Sequence, residues 1–143
     1  MKPWIWLRVL AVILAIFAVG HTLGTATPKV TRGSQEAAVF AAMQSFRFPI
    51  MGFQRTYWDF HQGFALTITL QLILMTVVAW QLSAISRKSL RLALPMAVAL
   101  QLGCAGLLVL SCVFFFAAPI AISAVAFACS SIAVLLLTRN SDA

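Results

Sequence analysis

The chain has 143 residues, 62% hydrophobic and 9% charged, and ten Lys and Arg against three Asp and Glu give a formal charge of +7. Apolar stretches long enough to cross a bilayer recur along it, which excludes a water-soluble core. The cations stand at the ends of those stretches rather than in one cluster, so they read as topology signals and lipid-headgroup contacts, and no nucleic-acid partner is expected.

The first apolar run, residues 4–24, predicts a transmembrane helix with Lys2 and Arg8 before its centre, Trp4 and Trp6 as interfacial anchors, and Gly20 and Gly24 at its far end. Its first half also has the pattern of a secretory signal, with the small residues Thr25, Ala26 and Thr27 after it; the run is nevertheless expected to be retained as a span. Residues 25–56 form the one long polar connection, with Pro28, Gly33 and four cations, and belong outside the hydrocarbon because unpaired backbone in lipid is too costly. Within it Ser34 is expected to cap a short amphipathic surface helix with Glu36 in its first turn and an apolar run up to Phe46. Pro49 and Gly52 are expected to break that helix before the second span.

Spans two to four are predicted over about 57–82, 92–116 and 119–138. Ala117 and Ala118 would make a tight turn between the last two, with Pro119 at a helix start and Pro95 in the first turn of the third. The fold class is therefore an all-α integral membrane four-helix bundle, one domain over 1–143. Small residues at helical spacing, Gly20/Gly24 in the first span, Gly63 in the second and Ala124/Ala128 in the fourth, are the candidate packing points. Cys104, Cys112 and Cys129 lie inside spans as small apolar residues, odd in number and matching no metal pattern.

Lys2, Arg8, Arg87, Lys88, Arg91 and Arg139 fall on one side of the predicted spans and Lys29, Arg32, Arg47 and Arg55 on the other. The short connection 85–91 carries three of the first six, which places both termini in the cytoplasm and the long loop outside.

The densest chemistry opens the second span: Arg55, Thr56, Tyr57, Trp58, Asp59 and His61. His21, near the outer end of the first span, is expected at a similar depth to His61, with Tyr57 one turn before it. Two readings stay open. In the structural one, Thr56-x-x-Asp59 is a capping box, Arg55 pairs with Asp59, and His21 is a satisfied interhelical residue. In the other, His21, Arg55, Tyr57, Trp58, Asp59 and His61 line a pocket for a quinone, a lipid headgroup or, with two histidines as axial ligands, a haem. No metal site is expected, because Asp59 is the only intramembrane acid near the histidines and no Glu-x-x-His pair occurs. Polar residues along the spans, including Thr67, Thr69, Thr76, Ser111 and Ser123, are expected to bond their own helices, and Gln71 to pair with Gln101.

Gly20-His21-x-x-Gly24 closing the first span and Tyr57-Trp58-Asp59-Phe60-x-x-Gly63-Phe64 opening the second resemble a family of small four-helix bacterial inner-membrane proteins over nearly the whole chain, with a looser similarity to DoxX-like proteins in size and helix number. The resemblance implies His21, Tyr57, Trp58, Asp59 and Gly63 as the positions that matter, and it implies no activity. No Ser-His-Asp order, phosphate-cradling loop or paired acids occur, so catalysis is not expected. The expected function is a structural or accessory subunit packing in the bilayer against other membrane subunits or its own copies; the alternative is the binding module just described.

Overall fold

The computed structural model describes residues 2–27 and 30–141. Pro28 and Lys29, assigned above to the outer loop, lie outside the described residues. The order is α1 (Pro3–Ala26), α2 (Ser34–Ser45), β1 (Arg47–Ile50), β2 (Phe53–Thr56), α3 (Tyr57–Ser86), α4 (Leu90–Phe114) and α5 (Ala117–Ser141). Helices α1, α3, α4 and α5 are each long and apolar enough to cross a membrane. The chain divides into two compact units, Met1–Ala18 with Gln71–Ala143, and Val19–Leu70.

The larger unit holds the core. Its buried residues recur at alternating steps of three and four: Leu7, Leu10 and Leu14 on α1, Leu72, Met75, Ala79 and Leu82 on α3, Ala93, Ala97, Leu100 and Cys104 on α4, and Ser123, Ala126, Ser130, Ala133 and Leu137 on α5. That spacing keeps one seam of each helix facing its neighbours with a slight left-handed wrap. The α4 and α5 seams are mostly Ala, Ser and Cys, so these two backbones come closest. The leucine seams of α1 and α3 hold backbones further apart. Every buried hydroxyl or amide has a partner among the described residues, for example Ser123 to the Pro119 carbonyl and Ser130 to that of Phe127.

Several expectations need correction. The described chain is predominantly helical, in keeping with the all-α expectation, with one short addition: β1 and β2 form an antiparallel hairpin, with Arg47 opposite Thr56 and Ile50 opposite Phe53. Met51 and Gly52 form its two-residue turn with φ of 48° and 86°, the positive pair that matches the twist of adjoining strands. Pro49 faces Gln54, a non-hydrogen-bonded pair in this register, so its missing N–H removes no ladder bond. It is therefore a strand residue, where the sequence reading had it as a breaker.

Gly33, with φ of 146°, is the residue before α2, and Ser34 makes no cap bond. Glu36 instead accepts the backbone N–H of Arg32. Nor is α2 amphipathic: its apolar residues are spread around the helix and none is buried, while Glu36, Phe40 and Met43 share the one half-shielded strip. The turn between α4 and α5 is Phe115 and Phe116, and Ala117 and Ala118 belong to α5. Pro95 lies at the sixth residue of α4, beyond its first turn, so the Arg91 carbonyl lacks the usual helical donor. The connection between α3 and α4 narrows to residues 87–89. Its Ser89 caps α4 by accepting the Leu92 N–H.

Candidate functional site

In the smaller unit, the end of α1, the helix α2, the hairpin and the first turns of α3 gather the polar and aromatic residues. Thr56 ends β2 and precedes the first turn of α3. Its backbone N–H donates to an Asp59 carboxylate oxygen at 2.8 Å, and the Asp59 N–H donates to the Thr56 hydroxyl at 3.1 Å. Each side chain satisfies a backbone donor that the helix start leaves free, and the carboxylate sits where the helix dipole favours negative charge. Arg55 donates to the Gln54 carbonyl at 3.1 Å and lies 5.3 Å from the Phe53 ring centroid, and its charge still acts on the Asp59 carboxylate.

The two histidines do not meet as expected. His21 Nδ1 is 3.0 Å from the Thr69 hydroxyl, which is in turn 3.2 Å from the Thr22 hydroxyl. Thr69 is eight residues past His61, about 12 Å further along the helix. His61 instead stands exposed against Trp58, ring centroids 5.2 Å apart. No group of three or more His, Cys, Asp or Glu able to hold a metal occurs among the described residues.

Aromatic contacts missed by sequence reasoning surround the mouth of α3. Tyr57 lies 4.9 Å from Phe48 and 6.0 Å from Phe46, and Phe48 continues to Phe60 at 5.9 Å. The hairpin brings Phe46 and Phe48 to this row. Trp58 meets Phe40 of α2 edge-on at 5.9 Å. Behind that pair lies a cavity of about 280 Å³ whose walls include Thr25, Thr31, Phe40, Gln44, Trp58 and Gln62. Of the six residues expected to line a ligand pocket, Trp58 is among the walls of this cavity.

A Cβ added at Gly20, Gly24 or Gly63 would meet nothing within 4 Å in this chain. Ala128 is exposed and Ala124 only half-buried; the packing face of α5 is the one through Ala126 and Ala133. Thr67 and Thr76 bond the carbonyls of Gly63 and Leu72 in their own helix. Gln71 is exposed, and Gln101 donates to Ser131 of α5 at 3.0 Å. Comparison with protein-family models, with curated proteins and with solved structures finds no match.

Proposed function

We propose that the chain is a multi-pass protein of a bacterial inner membrane, both termini cytoplasmic, and a non-catalytic structural or accessory subunit of a larger membrane complex or homo-oligomer. The motif resemblance to small four-helix inner-membrane proteins belongs to this proposal. One observation carries it: Asp59, Thr56, His21 and Tyr57, four of the polar side chains gathered in the smaller unit, are engaged in holding the chain, while His61 stands exposed against Trp58. Asp59 and Thr56 bond each other's backbone, His21 bonds Thr69, and the Tyr57 ring stacks on Phe46 and lies tilted against Phe48. Exposed large apolar residues such as Leu66, Leu70, Val109 and Leu135 give lipid and partner subunits their surface. Affinity isolation from native membranes in mild detergent should recover a stoichiometric membrane partner or a defined multimer. A lone monomer from the same isolation defeats the proposal.

The cavity beside Trp58 favours a second reading, a quinone- or lipid-binding module. Its walls offer two aromatic rings and two amides, suited to a flat or amphiphilic molecule. Neither histidine is among its walls, so the cavity offers no axial ligand for haem. An organic extract of the purified protein should then contain one enriched quinone or lipid, reduced several-fold by Trp58→Ala; an extract no different from bulk membrane ends this reading.

A further inference from the structure

Arg8 is the one charged residue of α1, and its surroundings within the larger unit are specific. Its Nε donates to the Ser83 hydroxyl at 3.2 Å, and Ser83 is 0% exposed. Its guanidinium carbon lies 4.7 Å from the Trp80 ring centroid and 5.9 Å from that of Trp4. The Arg87 guanidinium lies 5.2 Å from the same Trp4 ring. Two permanent positive charges thus share one indole and stand within about 11 Å of each other, close to one Debye length at ~0.1 M salt.

No carboxylate accompanies them among the described residues. Glu36 accepts the Arg32 amide and Asp59 the Thr56 amide, both in the smaller unit. Two guanidinium groups held on indoles beside an apolar span, with no anion among the described residues, keep charge-assisted donors available for one. We propose that Arg8 and Arg87, positioned by Trp4, Trp80 and Ser83, bind the phosphate of an anionic phospholipid headgroup.

With Nε engaged by Ser83, Arg8 presents its terminal Nη donors, whose planar fork matches two phosphate oxygens. The indoles hold the guanidinium groups in place, which limits the entropy lost on binding. Lys2, Lys88 and Arg91 stand close in sequence to these groups and add to the local positive potential that draws acidic lipid. A lipid suits the site better than free phosphate because apolar surface adjoins it: Trp80 is 52% exposed, with Ile5 and Val77 exposed one turn from Arg8 and Trp80 respectively. Acyl chains would lie along that surface. This site uses the larger unit alone and does not depend on an accessory role.

The test measures thermal unfolding of delipidated protein in neutral detergent with added phosphatidylglycerol, phosphatidylcholine or inorganic phosphate. Phosphatidylglycerol should raise Tm saturably and well beyond phosphatidylcholine, while inorganic phosphate should not. The Arg8→Gln/Arg87→Gln variant should lose that difference, and Arg47→Gln/Arg55→Gln, in the smaller unit, should keep it. Equal shifts from the two lipids, or an undiminished preference in the Arg8/Arg87 variant, overturn the site. Inorganic phosphate reproducing the whole shift also overturns it, in favour of a soluble anion. Should the Arg8/Arg87 variant not fold, native mass spectrometry of the wild-type protein in an equimolar mixture of the two lipids decides: a several-fold excess of single phosphatidylglycerol adducts supports the site, and equal adducts overturn it.

Discussion

Thr56 is only 7% exposed and holds both ends of its exchange with Asp59. Thr56→Ala removes the hydroxyl that accepts the Asp59 N–H and should cost about 1 kcal/mol in detergent unfolding, whereas Thr56→Ser should change little. Asp59→Asn retains a side-chain oxygen and should weaken the turn less than Asp59→Ala, as read by the same melts. His21 and Thr69 should couple by about 0.6 kcal/mol in a double-mutant cycle with alanine, the usual size of an interhelical bond in a membrane protein; a cycle closing at zero would show that the contact adds nothing. The capping pair was legible in the sequence because its partners are three residues apart and the geometry is local. The histidine's partner was not, because it lies 48 residues away and nothing in either sequence neighbourhood distinguishes Thr69 from Thr67.

At the scale of the element, the hairpin shows how a turn escapes notice. Met-Gly is a poor signal for a turn that asks for positive φ at both central residues, where Asn-Gly is usual. Met51 occupies this turn at φ 48° while 95% exposed, so it incurs the left-handed penalty with almost no packing in return. Met51→Asn should therefore stabilise the hairpin by about 1 kcal/mol, detectable as slower amide exchange across Phe48 and Arg55. Gly52→Ala should act in the opposite direction, since φ of 86° there is strained for any side chain. The four long helices were readable because length and hydropathy alone specify a span. Their ends moved by a few residues, Ala117 joining α5 and Leu90 joining α4.

Across the whole molecule, the closeness of α4 and α5 rests on a seam of small side chains. Ala133 is fully buried on that seam and Ala128 is exposed. Ala133→Leu should destabilise by about 1–3 kcal/mol through overpacking, while Ala128→Leu should be neutral in the same unfolding assay. The sequence reading chose Ala124 and Ala128 because it had only spacing to go on, and two interleaved small-residue registers run along the same helix.

What the sequence by itself determined was the number of helices able to cross a membrane, the polar segment between the first two, and the capping pair, since each depends on local composition or on neighbours a single turn apart. The tertiary structure alone decided which face of each helix is buried, that His21 meets Thr69 and not His61, that Arg8 and Arg87 share Trp4, and that a hairpin carries Phe48 to Tyr57. The reason is physical. A helix that is apolar all round carries no hydropathy contrast to mark its inner face, so only the fit of side-chain volumes and the pairing of a few polar groups across distant segments select one arrangement.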